Sequence, residues 1–216
     1  MAVLKDPFKL VKLRALSLFS KYYSREMDLK TYRCDEFLIK LIQDNNIRLD
    51  FYSFSNSNFC GLLTIDDDET TIVVNKNSPA YRRNFTIAHE LGHFFLHKHL
   101  KTEFPDRASD LLNSANDAFE KQANIFASEI VLPDVVLFVM LRSKYSFFRI
   151  SVVTQTSHET LRWRLVSYLR DNHKILHNKS IELVENYVDA SVFGYKQNEL
   201  QDFIAMEVLK KYKNVD

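Results

Sequence analysis

The sequence predicts an α+β fold: a small antiparallel or mixed sheet packed on a pair of helices, followed by a mostly helical C-terminal region. Three observations predict it. Apolar residues recur at helical spacing over residues 8–23 and 28–45, then alternate in part between 47 and 74, as strands do. Helical spacing returns after Ser78-Pro79 and continues into the tail. The first helix after that return is apolar almost all round, which marks a helix buried in a core.

The elements follow in order. Residues 8–23 and 28–45 read as helices, with Phe37, Leu38, Leu41 and Ile42 forming an apolar stripe in the second. Residues 47–54, 59–65 and 70–74 read as strands. Asp66-Asp67-Asp68-Glu69 reads as the turn of a hairpin between the last two. Ser78 suits an N-cap and Pro79 a first helical position, which opens a helix over 79–97. The polar stretch 101–110 predicts a loop, and 111–132 a further helix that Pro133 ends. Helices are then expected at 135–141, 150–155, 157–169 and 198–212, with Gly194 at a turn.

Bulk properties narrow the function classes. The 216 residues suit one domain with appendages or two small ones. A net charge of +1 gives no global field for nucleic acid or membrane. Cys34 and Cys60 form no CxxC pattern and read as two reduced thiols, which points to the cytoplasm. Lys5, Lys9, Lys12 and Arg14 interrupt every apolar run near the N-terminus, so no signal peptide is expected there. That segment reads as an amphipathic helix docked on the domain, with a membrane-surface role the weaker alternative. The longest apolar run, 135–141, is too short to span a bilayer, so no membrane partner is expected.

On a helical wheel of residues 79–97, Thr86, His89, Glu90, His93 and His97 share one narrow arc, and apolar side chains fill most of the rest. Burying imidazoles and a carboxylate costs several kcal/mol, on the order of 2–7 per group, unless something satisfies them. A divalent metal is one such partner. His89 and His93, four residues apart, aim their ring nitrogens at one point. Glu90 lies beside that point, placed to take a proton. This is the His-Glu-x-x-His arrangement of zinc peptidases. The expected cofactor is therefore zinc, the expected metal ligands include His89 and His93, and Glu90 is the expected catalytic base.

A catalytic zinc usually takes a third protein ligand. Glu120, on the following helix, is the best placed, with Asn124 one turn later to hold a ligand imidazole by a hydrogen bond. His99, Glu129 and His97 are weaker alternatives. His99 would need a sharp turn where Leu96 stands, and Leu disfavours positive φ. Glu129 lies on the far side of its helix from Glu120. His97 shares the first helix and reads as a residue that supports a ligand or touches substrate. His97, His99, Tyr81, Tyr145 and His158 are the candidates for stabilising a developing oxyanion, and the residues do not choose among them.

The runs Arg83-Asn84-Phe85-Thr86-Ile87-Ala88-His89-Glu90-Leu91-Gly92-His93 and Glu120-Lys121-Gln122-Ala123-Asn124-Ile125-Phe126-Ala127 resemble the ImmA/IrrE family of metallopeptidases. The strand residues Cys60-Gly61-Leu62-Leu63 and Thr71-Ile72-Val73-Val74-Asn75 fit as well, and the likeness runs over most of 28–169. It implies a gluzincin-like fold with a zinc-binding helix pair, zinc on His89, His93 and Glu120, and Glu90 as base. It also implies a regulatory role: cleaving or inactivating a helix-turn-helix transcriptional repressor and so derepressing phage, mobile-element or stress genes. The expected organisation is an N-terminal helical extension (1–27), a zinc metallopeptidase domain (28–133) and a helical C-terminal region (134–216).

Two rival functions are a protein that sequesters a repressor without cutting it and a DNA-binding regulator. The second rests on residues 150–169, which have the look of a helix-turn-helix, and on Arg142, Lys144, Arg149, Arg162, Arg164, Arg170 and Lys174. Leu161, Leu165 and Leu169 at four-residue spacing favour a packed helix there instead, with Trp163 as a candidate core residue. DNA binding is accordingly not favoured.

Overall fold

The β-rich stretch forms three strands, β1 (Ile47–Tyr52), β2 (Phe59–Ile65) and β3 (Thr70–Asn75). Asp66 closes the β2–β3 hairpin: its carboxylate accepts the backbone N–H groups of Asp68 (3.1 Å) and Glu69 (2.7 Å), the short-range capping at which Asp excels. β3 lies antiparallel to β2 and parallel to β1, so the sheet is mixed. The computed structural model describes residues 7–23, 27–56, 59–66, 68–99, 103–107, 118–195 and 198–213.

A fourth strand, β4 (Glu103–Arg107), pairs antiparallel with β2 and completes the order β1-β3-β2-β4. It falls where a loop is expected. Its polar composition and Pro105 carry no strand signal. Among the described residues it is an edge strand, where a residue without an N–H is tolerated because one side of the ladder has no partner strand.

The chain divides into two compact units, Met1–Ser24 with Arg33–Val131 and Arg25–Tyr32 with Leu132–Asp216. In the first, helix α1 (Pro7–Tyr22) buries Val11, Ala15, Leu18 and Phe19. Phe19 meets Phe37 of α2 (Cys34–Asp44) edge to face, with ring centroids 5.6 Å apart. The single helix expected over 28–45 is broken. The Asp28 carboxylate accepts the N–H of Lys30 at 2.9 Å and caps one 3-10 turn, Leu29–Thr31. Tyr32 and Arg33 then run extended into α2. A capping Asp competes with the helical ladder in this way.

Helix α3 (Ala80–His97) starts one residue later than the Ser78-Pro79 pair predicts. Pro79 is its N-cap: its carbonyl accepts the N–H groups of Arg82 and Arg83, and the Ser78 carbonyl accepts from the Arg83 guanidinium at 2.7 Å. Helix α4 (Ala118–Val131) packs along α3. The part of the expected helix at 111–117 lies outside the described residues. A Cβ on Gly92 would sit 3.0 Å from the Ala123 Cα and 3.2 Å from its carbonyl oxygen. The two backbones therefore approach as closely as glycine permits. On its other side α3 lies against β2.

The second unit is helical: α5 (Asp134–Arg142), α6 (Phe147–Thr154), α7 (His158–His173), α8 (His177–Phe193) and α9 (Glu199–Lys213). Ser146 and Ser157 cap α6 and α7 by accepting the N–H groups of Arg149 and Thr160. Gly194 takes the left-handed conformation, φ +71°, that ends α8. Leu161, Leu165 and Leu169 are fully buried, as their spacing predicts. Trp163 is 58% exposed and is not a core residue. Buried in its place is Arg164, whose guanidinium pairs with Asp134 at 2.5 Å. Arg162 pairs with Glu185 and Lys144 with Asp202, so three of the seven basic residues on which the DNA-binding alternative rests are engaged by carboxylates. Among the described residues, no single helix is long and apolar enough to cross a membrane.

Candidate metal centre

The polar arc of α3 is buried as its wheel predicts: His89, Glu90, His93 and His97 are each 2% exposed or less. The two Nε2 atoms of His89 and His93 lie 3.0 Å apart. Helix α4 brings Glu120 to the same point, with Oε2 3.2 Å from His89 Nε2 and Oε1 3.3 Å from His93 Nε2. Within 4.8 Å of one another, the three side chains offer two imidazole nitrogens and a carboxylate oxygen.

This donor set fits a zinc ion. Two imidazoles and one carboxylate are a set that zinc takes in hydrolytic sites. Four donors arranged tetrahedrally at about 2 Å from a common centre stand roughly 3.3 Å from one another, close to the spacing found. Protonation favours the same use. Burial pushes the His93 imidazole down to about 4, against the opposing pull of Glu120, so the ring is neutral near pH 7. Burial also pushes the Glu120 carboxyl up, but hydrogen bonds and charge from His89 and His93 outweigh it and hold the group well below the usual carboxylate range. A neutral imidazole and an ionised carboxylate are the forms that bind metal.

Further contacts orient the rings. Nδ1 of His89 lies 2.9 Å from the amide oxygen of Asn124, and Nδ1 of His93 lies 3.1 Å from Nδ1 of His97. Nε2 of His97 is 3.2 Å from the amide oxygen of Gln122, and Phe119 packs on the His97 ring with centroids 4.8 Å apart. Glu90, fully buried, stands where α3 meets the sheet: a Cβ on Gly61 of β2 would lie 3.3 Å from its Oε1 and 2.5 Å from Thr86 Cγ2.

The structure brings His89, His93 and Glu120 together, with Asn124 and His97 touching the two imidazoles and Glu90 one residue from His89. It leaves the other candidates elsewhere. Glu129 forms an ion pair with Lys12 of α1 at 3.0 Å. His99 sits in the exposed turn after α3, and Tyr81 is about half exposed in its first turn. Tyr145 and His158 belong to the second unit. There the Tyr145 carbonyl accepts from Tyr187 and Gln201, and His158 packs on Phe147 and Phe148. Gln122 and the Gly92–Ala123 contact are additions that sequence patterns do not single out, and Gly61 is an addition that they could have. A glycine inside a strand is a general sign of close backbone approach, and Gly61 carries that sign.

Fold and donor set define the class: an α+β protein in which two packed helices bring together two imidazoles and a carboxylate that could hold a metal ion. The family described as the IrrE N-terminal-like domain, a peptidase family, matches residues 35–165. The chain belongs to this ImmA/IrrE family of metallopeptidases. It is 42% identical over 77 residues to Metallopeptidase ImmA of Bacillus subtilis (strain 168), over 36% of this chain and 44% of that protein. It is 28% identical over 168 residues to the "Uncharacterized immunity region protein 2" of Bacillus phage phi105, over 77% of this chain and 96% of that one. A Mycobacterium tuberculosis transcriptional regulator shares the fold, with a TM-score of 0.50 and 17% identity over 75% of this chain and 47% of that one. The matched region thus spans less than half of the ImmA and mycobacterial proteins.

Proposed function

We propose that the chain is a zinc-dependent endopeptidase of the cytoplasm that cleaves or inactivates a helix-turn-helix transcriptional repressor, so derepressing phage, mobile-element or stress genes. The observation that carries the peptidase reading is the convergence of His89, His93 and Glu120 on one point, with the buried Glu90 next to His89 in the chain. His89, His93 and Glu120 would hold the zinc. When bound, zinc supplies Lewis acidity, which acidifies water and polarises a peptide carbonyl. Glu90 takes the proton of the attacking water at its carboxylate and delivers it to the leaving amine as the C–N bond breaks. Asn124 holds the His89 ring in place throughout. The repressor as substrate is supported by the family, and by a phage relative named for an immunity region.

The test is incubation of the zinc-loaded chain with the helix-turn-helix regulator encoded beside its gene, with fragments mapped by mass. Two defined fragments are expected. Glu90→Gln should keep zinc and lose cleavage by about 10²- to 10⁴-fold, the usual worth of a general base. Cleavage that persists at the parent rate removes Glu90 from the mechanism. Repressor that stays whole, yet is silenced equally by the parent and by Glu90→Gln, replaces proteolysis with sequestration.

A further inference from the structure

Each of the two histidines has its Nδ1 against a different acceptor. His89 has the amide oxygen of Asn124 at 2.9 Å. His93 has a second imidazole, Nδ1 of His97, at 3.1 Å. Two ring nitrogens so close share one proton, and a histidine that offers Nε2 to a metal carries its proton on Nδ1. His93 is therefore the donor and His97 Nδ1 the acceptor. The His97 proton then sits on Nε2, which faces the Gln122 amide oxygen at 3.2 Å. Every proton in the chain is thus assigned by the one beyond it, and the last assignment is made by an oxygen, which only accepts.

We infer that Gln122 and His97 are positioning residues that lock His93 in its metal-binding tautomer, as Asn124 does directly for His89. This rests on the proposal that His89, His93 and Glu120 hold zinc. The relay runs Gln122 Oε1, His97 Nε2–H, His97 Nδ1, His93 Nδ1–H, leaving His93 Nε2 bare toward His89 and Glu120. A donor in place of the Gln122 oxygen reverses it: His97 would then hold its proton on Nδ1, give it to His93 Nδ1, and force the His93 proton onto Nε2, where the metal would bind. Helix α4 consequently supplies a ligand at Glu120 and orients both imidazoles, through Asn124 and Gln122. The amide oxygen and nitrogen at 122 are not equivalent to the site although neither reaches the metal.

The experiment measures zinc affinity by chelator competition for the full chain and three variants, with circular dichroism to confirm folding. Gln122→Glu keeps an acceptor and should bind zinc within about threefold of the parent. Gln122→Met removes it and should bind about 10- to 100-fold more weakly, the usual cost of losing a group that orients a metal-ligating histidine. Gln122→Lys offers only donors and should be weaker than Gln122→Met. In the zinc-loaded parent, nitrogen-detected NMR should show the His97 proton on Nε2 with Nδ1 bare. Parental affinity in Gln122→Met, or a His97 proton on Nδ1, overturns the relay while the zinc site stands. A parent chain that binds no zinc overturns the metal proposal and the relay with it.

Discussion

Gly92 sits between the two metal-site histidines and the helix that carries Glu120, and Gly92→Ala tests whether helix separation sets the centre. Its added Cβ would lie 3.0 Å from the Ala123 Cα, 3.2 Å from the Ala123 oxygen and 3.3 Å from its Cβ. Carbon contacts are comfortable at about 3.5–4.0 Å, so α3 and α4 must part by a few tenths of an ångström. Two neighbours are backbone atoms, and no side-chain rotation relieves them. Metal distances tolerate only about 0.2 Å, and Glu120 reaches both imidazoles across this gap. Zinc affinity should therefore fall at least about tenfold, equivalent to ~1.4 kcal/mol. Without metal the variant should melt near the parent, since Ala gains up to about 1 kcal/mol over Gly inside a helix and offsets part of the strain. Chelator competition and thermal melts of metal-free and zinc-loaded protein separate the two effects. Parental zinc affinity in a folded Gly92→Ala would refute the claim that this contact fixes the site.

Zinc removal by a chelator should lower the melting temperature and zinc addition should restore it, with about 2.7 kcal/mol gained when free zinc is 100-fold above the dissociation constant; a melt indifferent to zinc would remove the centre. Burial, reinforced by Asp35, pushes the Cys34 thiol up from 9.0 to about 12. Alkylation of Cys34 near pH 8 should be slow in the folded chain and fast in denaturant, as thiolate is the reactive form. Because the folded value is raised, this group's stabilisation is complete below about pH 9 and is lost as pH climbs toward 12, so the denaturation midpoint should fall over that window. A midpoint that rises there would reverse the assignment.

The grouping of His89, His93 and Glu120 is more legible in the sequence than the scaffold, for reasons visible in particular residues. His89 and His93 stand one turn apart in the buried, mostly apolar stretch of α3, and no packing reason puts Glu90 between them. Glu120 and Asn124 repeat the one-turn spacing on the next helix. Gln122 falls about 200° around α4 from Glu120 at 100° per residue, so a wheel dismisses it. It reaches the site only because His97, one turn beyond His93, extends the polar arc toward it. Strand β4 escapes notice because pairing with β2, not propensity, makes it a strand. The break before α2 escapes notice because the cue against a continuous helix is a single capping Asp. Trp163 and Arg164 exchange the places their chemistry suggests, because Asp134 gives the guanidinium a carboxylate to be buried with.

The chain has only three glycines, and two of them let α3 approach its neighbours, Gly92 from within the helix and Gly61 from β2. Each costs up to about 1 kcal/mol in the interior of a helix or strand relative to alanine, so both positions favour close approach over stability. Their targets differ. Gly92 sets the distance to the helix that carries Glu120. Gly61 sets the distance from β2 to Thr86 and Glu90, and a Cβ there would stand 2.5 Å from the Thr86 methyl and 3.3 Å from Glu90 Oε1. The Thr86 side chain is buried and β-branched, so it cannot swing clear cheaply, and the strain must pass to Glu90 or to the strand. Gly61→Ala should therefore displace Glu90, the proposed base, while leaving His89, His93 and Glu120 in register. The expected signature is zinc affinity within about threefold of the parent and cleavage slowed about 100-fold, the usual cost of a 1 Å misplacement. Gly92→Ala loses the metal first. If Gly61→Ala instead sheds zinc and keeps its rate when zinc is supplied in excess, then β2 supports the donors and not the base, and the division of labour around α3 is wrong.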